Sequence, residues 1–126
     1  FGQSTNDVFP TAGRLTCLTL VEQLIQQLNE LQQSLLNKAK EFDDVIKMGR
    51  THLQDAVPIR LGQEFHAYAT MVGRDIKRIR IAFNDLKAVN MGATAVGTGL
   101  NAVEKYKRNI TPVLSEICGI TPEAMV

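Results

Sequence analysis

The sequence has no tryptophan, few aromatic residues and only two cysteines, and each scarcity excludes a class of protein. Aromatic residues make up 6% of the 126 positions. Cys17 and Cys118 form no CxxC motif, so we expect free, reduced thiols in a cytoplasmic protein rather than a disulfide framework. No apolar run approaches the ~20 residues that a membrane-spanning helix requires, and no signal-peptide pattern is present. We therefore expect no membrane partner.

Neither sign of charge is in excess. The chain carries 14 Lys and Arg against 13 Asp and Glu, which gives a formal net charge of +1 and indicates no polyanionic partner. One predicted helix has a basic face, which we interpret as solvated surface because no aromatic residues alternate with the bases. We therefore expect no nucleic-acid partner. The basic face consists of Arg74, Lys77, Arg78, Arg80 and Lys87.

Apolar residues at helical spacing are abundant and predict three helices. The first runs from about Asn6 to Phe42, the second from about Gln63 to Val89, and the third from about Val103 to Ile117. Steps of four and three residues place the apolar side chains on one stripe of each long helix. The first stripe consists of Cys17, Val21, Leu24, Leu28, Leu31 and Leu35, and the second of Phe65, Ala69, Val72, Ile76, Ile79, Phe83 and Leu86.

Prolines and glycines mark the predicted helix limits. Pro10 fits the first turn of the first helix, whereas Pro112 should bend or break the third. Gly119 should end that helix. A further helix is predicted to begin at residues 121–123, because Thr121, Pro122 and Glu123 resemble a helix cap and first turn.

These patterns together predict an all-α fold, a long-helix bundle with an irregular segment between the two longest helices. That segment runs from Asp43 to Leu61, and we expect irregular chain with short extended pieces. Additional leucines widen the apolar surface of the first helix beyond a single stripe. Parts of the stripes should therefore face helices outside this chain or other subunits.

Four polar clusters interrupt the helices and are candidate sites. Gly2–Asp7 places hydroxyls and an amide at a helix N-terminus, where a carboxylate would fit and where ordinary capping would also suffice. Gly49–Asp55 combines a cation, a hydroxyl and an imidazole, which suits carboxylate binding or proton transfer as well as a polar turn. Gly62–Glu64 is interpreted as helix capping. Gly92–Asn101 is interpreted as a loop that packs against backbone or lines a pocket.

The sequence lacks the motifs that several other kinds of site require. No cluster has the spacing of metal ligands, and no G-x-S-x-G nucleophile motif occurs. Gly97, Gly99 and Ala102 satisfy G-x-G-x-x-A in form, but no βαβ unit surrounds them, so we reject a dinucleotide site. His66 is interpreted as a surface or packing residue.

In their order and spacing, the clusters resemble segments of the aspartase/fumarase superfamily. Residues 2–12 (GQSTNDVFPTA) look like its S-[ST]-N-D segment, and residues 92–101 (GATAVGTGLN) like its Gly/Thr loop. Residues 47–58 (KMGRTHLQDAVP), with LGQEF at 61–65, look like its G-R-T-H-x-Q-D-A region. Thr5 and Leu53, within S-T-N and T-H-L-Q-D-A, are closer to the aspartase branch than to the class II fumarases.

The resemblance implies the central helical domain of that fold, with N-terminal and C-terminal portions of a parent enzyme outside residues 1–126. It implies an aspartate ammonia-lyase, which converts L-aspartate reversibly to fumarate and ammonia by Cβ proton abstraction through an enediolate-like intermediate. It implies neither an organic cofactor nor a metal. Ser4, Thr5 and Asn6 match the family's substrate-binding S-T-N, and Thr51 and His52 match its T-H pair, which contacts a substrate carboxylate. In the family, these two groups come from different subunits of a homotetramer.

The family's catalytic serine has no counterpart in this sequence. It belongs to a later G-S-S-x-M-P-x-K-x-N-P loop, so the resemblance implies that no catalytic residue lies in this chain and that the chain alone is inactive. Two alternatives remain open. One is a class II fumarase, and the other is a non-catalytic helical oligomerisation module that uses its stripes only to bind partner helices.

Overall fold

The computed structural model of the chain describes residues 2–124 and is mostly helical. The helices are α1 (Thr5–Glu41), α2 (Leu61–Asp85) and α3 (Glu104–Cys118). Strands β1 (Ile46–Thr51) and β2 (Gln54–Arg60) form an antiparallel hairpin, and the short strands β3 (Ala88–Val89) and β4 (Glu123–Ala124) pair in parallel. The predicted all-α class is confirmed. No helix in the described range combines the length and apolarity that a membrane crossing needs.

The chain divides into two compact units. The first consists of Phe1–Glu22 and Arg80–Val126, and the second of Gln23–Ile79. The first unit has an apolar core that also buries two polar residues, Asp7 and Thr11. The apolar residues of this core are Leu15, Val21, Val89, Met91 and Ala93.

In the second unit, small residues allow close approach of its helical parts. Ala39 and Ala69 are buried there together with Ile25 and Ile76. A Cβ on Gly62 would collide with the carbonyl oxygen of Ala39. The side-chain amide of Gln32, on α1, donates to the carbonyl of Ala69, on α2, at 3.1 Å.

The two predicted stripes differ in how fully this chain covers them. The α2 stripe is buried or half-buried at all of its described positions. On α1, by contrast, Val21 is buried, whereas Leu24 and Leu31 are 49% and 47% exposed. Cys17 is exposed as well, and its thiol is free, as expected. Part of the apolar surface of α1 therefore stays uncovered within this chain.

α2 ends at Asp85, earlier than the predicted limit at Val89. The guanidinium of Arg14 donates to the carbonyls of Asp85 and Ala88, which lie at and just beyond the helix end. The following residues are good helix formers by propensity, so local sequence gives no stop signal. A long-range partner fixes this end of the helix.

The further helix predicted at 121–123 is not present in the described residues. Glu123 belongs to β4 instead, and its N–H donates to the carbonyl of Lys87 at 2.7 Å. Met125 and Val126, into which the predicted helix would continue, lie outside the described residues. The pairing with β3 explains the extended conformation at Glu123.

Pro10 lies outside its predicted place and Pro112 does not break α3, whereas Gly119 behaves as predicted. Pro10 lies beyond the first turn of α1, and Pro112 does not end α3. Pro112 and Arg108, whose carbonyl loses its helical partner, are both exposed, so water can satisfy that carbonyl. Gly119 adopts φ 65° and donates its N–H to the carbonyl of Ser115 at 2.9 Å, which ends α3.

The segment predicted to be irregular with short extended pieces contains two strands, which pair as an antiparallel hairpin. Thr51 pairs with Gln54 and Arg50 with Asp55. The pairing shifts between Met48 and Arg50, where the intervening Gly49 approaches the other strand closely. A Cβ on Gly49 would lie 2.8 Å from the Val57 carbonyl oxygen. This bulge and the absence of an alternating apolar pattern explain why the sequence did not predict two strands.

A two-residue turn of His52 and Leu53 closes this hairpin. Their φ values are 49° and 60°, so both residues are left-handed, as in a type I′ turn. Such a conformation costs a non-glycine residue about 1–2 kcal/mol. The Leu53 side chain is 93% exposed and makes no compensating burial within this chain. Backbone strain is therefore stored directly beside Thr51.

We expect Leu53→Gly to raise the free energy of unfolding by about 1 kcal/mol, because glycine adopts a positive φ without a Cβ clash. Urea denaturation followed by circular dichroism measures this change. Leu53→Ala is the matched control, since it also removes the exposed side chain but keeps the Cβ. Equal stabilisation by the two variants would contradict backbone strain as the cause.

Candidate functional site

Ser4 caps α1 in a reciprocal arrangement with Asp7. The Ser4 Oγ accepts the N–H of Asn6 at 3.2 Å, and the Asp7 carboxylate accepts the N–H of Ser4 at 2.9 Å. This pair forms a capping box, which satisfies N–H groups that have no partner inside the helix. Of the two roles left open for the Gly2–Asp7 cluster, capping is present. It uses Ser4 Oγ as an acceptor, and within the described range 2–124 no group accepts the hydroxyl hydrogen, which can therefore bond to a ligand.

The same Asp7 carboxylate ties the helix start to the loop 92–101. Its Oδ2 accepts the N–H of Gly92 at 3.2 Å and that of Thr94 at 3.1 Å. Asp7 is fully buried. The loop, which the sequence predicted to pack against backbone or line a pocket, therefore packs directly against the first turn of α1.

Asn6 makes a second connection to this loop. Its Nδ2 donates to the carbonyl of Ala95 at 2.8 Å. Its own carbonyl accepts from Asn90 Nδ2 at 3.0 Å. That carbonyl would normally bond to the residue four positions on, but Pro10 has no N–H. The Asn90 side chain thus replaces the helical hydrogen bond that Pro10 removes.

The residues Ser4, Thr5 and Asn6, hereafter the S-T-N strip, keep part of their hydrogen-bonding capacity. Thr5 and Asn6 are exposed, and Ser4 is half-buried. Within residues 2–124, no hydrogen bond occupies the Thr5 hydroxyl or Asn6 Oδ1. The strip therefore offers two hydroxyl donors and one amide acceptor at the N-terminus of α1, where the helix dipole favours a negative charge.

Lys107, in α3, supports the loop on another side. Its aliphatic part lies beside Gly99, where a Cβ would come within 3.0 Å of Lys107 Cδ. Its Nζ pairs with the Glu104 carboxylate at 2.5 Å. This hydrogen bond and the charge of Lys107, with a smaller contribution from Arg108, lower the pKa of the exposed Glu104 carboxyl. The ion pair holds Lys107 along the surface of the loop.

Thr51 and His52 lie side by side at the tip of the β1–β2 hairpin, in the second unit. Both are exposed, and no hydrogen bond within the described part of the chain occupies the Thr51 hydroxyl or the His52 imidazole. Arg50 and Asp55 form an ion pair across the hairpin at 3.0 Å. Because both charges are exposed, this pair contributes at most about 1 kcal/mol. The hairpin therefore presents a hydroxyl and an imidazole together to solvent.

The Gly62–Glu64 cluster caps α2, as predicted. Gln63 Oε1 accepts the N–H of Arg60 at 2.9 Å, and Glu64 accepts from Lys47 Nζ at 2.8 Å. His66 is exposed on the same helix. It lines an open groove of about 740 Å³ that also includes Lys40. No group of three possible metal ligands occurs among residues 2–124.

Sequence reasoning missed two residues that organise the S-T-N strip. Asp7 was considered only as a capping residue, and the Ser-x-x-Asp spacing was the available signal for its capping box. No sequence pattern could predict its hydrogen bonds to Gly92 and Thr94, because main-chain N–H groups are the same in every sequence. Asn90 had no signal either, since its role depends on the carbonyl that Pro10 leaves free.

Comparison with known proteins places the chain in a family. The family model described as Lyase matches residues 1–125. Aspartate ammonia-lyase of Bacillus subtilis is 57% identical over 118 residues, which are 94% of this chain and 25% of that protein. Aspartate ammonia-lyase of Escherichia coli is 44% identical over 117 residues, 93% of this chain and 24% of that protein. The chain thus spans about a quarter of the length of the curated relatives it matches.

Solved structures agree with this placement. The cobalt-bound fumarate lyase:delta crystallin of Brucella melitensis superposes with a TM-score of 0.88 at 45% identity, covering 100% of this chain and 27% of that chain. The class II fumarase of Schistosoma mansoni superposes with a TM-score of 0.83 at 37% identity, covering 94% of this chain and 25% of that chain. The chain therefore belongs to the lyase family, within the aspartase/fumarase superfamily that its motifs resemble.

Proposed function

We propose that this chain is part of an aspartate ammonia-lyase, which converts L-aspartate reversibly into fumarate and ammonia. The S-T-N strip is the observation on which the proposal rests, because it presents two hydroxyl donors and an amide acceptor at a helix N-terminus. Identity supports the aspartase branch over the fumarases. The chain is 57% identical to the Bacillus subtilis aspartate ammonia-lyase and 37% identical to the Schistosoma mansoni class II fumarase.

The free groups of the strip suit an amino dicarboxylate. The Ser4 and Thr5 hydroxyls donate to one carboxylate, whose charge the N-terminus of α1 also favours. Asn6 Nδ2 already donates to Ala95, so its Oδ1 accepts from a donor such as an ammonium group. The exposed Thr51 hydroxyl and His52 imidazole take a substrate carboxylate. An amine beside a carboxylate is the pattern that distinguishes aspartate from simple dicarboxylates.

In this proposal, the reaction places extra negative charge on a carboxylate. A base removes a proton from Cβ, and the electron pair passes into the adjacent carboxylate to give an enediolate-like intermediate. The C–N bond then breaks with its electron pair going to nitrogen, ammonia leaves, and the double bond of fumarate forms. Fixed donors aimed at the carboxylate stabilise this charge more in the transition state than in the substrate. The strip and the Thr51–His52 pair supply such donors.

In this proposal, the parent enzyme is longer than this chain and contains the catalytic serine elsewhere. The chain is part of a central helical domain, and N-terminal and C-terminal portions of the parent lie outside it; its span of a quarter of its relatives supports this. The catalytic serine belongs to a later loop, so none of the residues 1–126 is the base. The parent is a homotetramer without an organic cofactor, and the exposed Leu24 and Leu31 on α1 support assembly with further helices. Its cytoplasmic location stays a prediction.

The full-length protein should release fumarate from L-aspartate and not from L-malate, because its polar strip suits an ammonium group and a carboxylate. Ultraviolet absorbance of fumarate measures both reactions in parallel. Release from L-malate alone would replace the proposal by a class II fumarase. Release from neither substrate would favour a non-catalytic helical module.

His52→Ala in the full-length protein should lower kcat/KM for L-aspartate by about 100-fold, because a donor to a substrate carboxylate is lost. Size-exclusion chromatography should show an unchanged oligomer. His66→Ala is the matched control, since it removes an exposed histidine of α2 that lies outside the proposed site, and its activity should match that of the wild type. Full activity of His52→Ala would instead assign the hairpin to the scaffold.

The isolated 126-residue chain should release no fumarate from L-aspartate, because the proposed base is not among its residues. Incubation of the purified chain with L-aspartate, beside the full-length protein at the same molar concentration, measures this difference. Turnover by the isolated chain would show that a base lies within it.

A further inference from the structure

The Asp7 carboxylate is buried without a cation. The side chain is fully buried, and among the described residues no Lys, Arg or His forms an ion pair with it. Instead it accepts three main-chain N–H groups, from Ser4 at 2.9 Å, Gly92 at 3.2 Å and Thr94 at 3.1 Å. The N-terminus of α1 adds its positive dipole end. Backbone donors alone therefore compensate the cost of burying this group.

The three donors belong to two separate pieces of the candidate site. Ser4 begins the S-T-N strip, whereas Gly92 and Thr94 belong to the loop 92–101. Gly92 has φ 96° and Thr94 has φ 65°. A left-handed conformation is unfavourable for a threonine, so the loop needs a partner that holds it in this form. The Asp7 carboxylate is that partner.

The strip and the loop also meet through Asn6. Asn6 Nδ2 donates to the Ala95 carbonyl at 2.8 Å, one residue after Thr94. The position of the Asn6 side chain, and hence the direction of its free Oδ1, thus depends on where the loop lies. Asp7 sets that position through Gly92 and Thr94.

We propose that Asp7 is a positioning residue for ligand binding, which orients the Ser4, Thr5 and Asn6 side chains by locking the first turn of α1 to the loop 92–101. Asp7 itself touches no ligand. The identity of the ligand, a dicarboxylate, rests on the proposed function. The role of Asp7 rests on its own hydrogen bonds.

Asp7→Asn is the sharpest variant, because it keeps the size and shape of the side chain. An amide has one oxygen acceptor, and its NH₂ group donates. Either Ser4 or the pair Gly92 and Thr94 would then face another donor. The three hydrogen bonds that Asp7 accepts from Ser4, Gly92 and Thr94 form a clamp between α1 and the loop. Asp7→Asn removes one side of this clamp and conserves the side-chain volume.

In the full-length protein, Asp7→Asn should raise the calorimetric Kd of succinate, an unreactive dicarboxylate, about tenfold, and lower kcat/KM for L-aspartate about 100-fold with a raised KM. Asp75→Asn is the matched control, because Asp75 is a partly exposed aspartate on α2 whose one ion pair among the described residues is with Arg78. Its Kd and KM should equal those of the wild type. Circular dichroism and size-exclusion chromatography of all variants report folding and assembly.

A merely structural role predicts a different pattern. Asp7→Asn would then lower the fraction of folded protein and hence the apparent kcat. The folded molecules would keep the wild-type KM and succinate Kd, and this result would overturn the proposal. Should Asp7→Asn not fold, Thr94 is replaced by its α-hydroxy acid, which removes the N–H that Asp7 accepts and keeps the side chain. The same replacement at Ala95 is the control, because it too puts an ester into the loop but removes no N–H that Asp7 accepts. A raised succinate Kd in this ester variant supports the clamp, and an unchanged Kd overturns it.

Succinate binding also separates this proposal from the proposed function. A wild-type protein that binds succinate but releases no fumarate would overturn the lyase assignment, and the Kd ratio of Asp7→Asn to wild type would still decide the role of Asp7. A wild-type protein that binds no dicarboxylate overturns both.

Discussion

The polar end of the first unit is built around the buried carboxylate of Asp7, which forms no ion pair among residues 2–124. Burial of such a group is tolerable only when hydrogen bonds replace those it made to water. At Asp7, the replacements come from the backbone of two segments distant in sequence, since Gly92 and Thr94 are 85 and 87 residues away. The two oxygen atoms of this carboxylate therefore join the helix start to the loop 92–101, and the bonds of Asn6 and Asn90 add to this connection.

Around this carboxylate, the polar groups divide into those used by the fold and those left for a ligand. Ser4 Oγ accepts inside the cap and keeps its hydrogen, and Asn6 gives its amide N–H to Ala95 and keeps its oxygen. The fold thus determines which hydrogen-bonding character each group presents outward. The hairpin differs, because the left-handed backbone of His52 and Leu53 closes the turn beside Thr51 and leaves Thr51 and His52 exposed.

Local patterns in the sequence predicted what depends on neighbours in the chain. The α2 stripe, a helix cap within Gly2–Asp7 and the stop at Gly119 all follow from spacing and propensity, and the structure has them. The predicted end of α2 was wrong because Arg14 fixes that end from another helix. The pairing of β1 with β2 was not predicted because the strands lack an alternating apolar pattern, contain a bulge and are joined by His-Leu rather than Asn-Gly. The candidate residues were found through resemblance to a family. Their mutual orientation could not be predicted, since it depends on main-chain donors that every sequence shares.

The long separation between Asp7 and its loop partners also has a consequence for the order of assembly. Contacts between near neighbours in sequence close small loops and form early, whereas distant ones wait for a larger loss of chain entropy. The hairpin pair Arg50–Asp55 spans five residues, whereas Asp7 and Gly92 span 85. On the ribosome, α1 can therefore begin to coil long before its first turn acquires its final geometry. The S-T-N strip matures only when the chain beyond Thr94 has been synthesised, so its binding geometry is among the last features that the folding chain acquires.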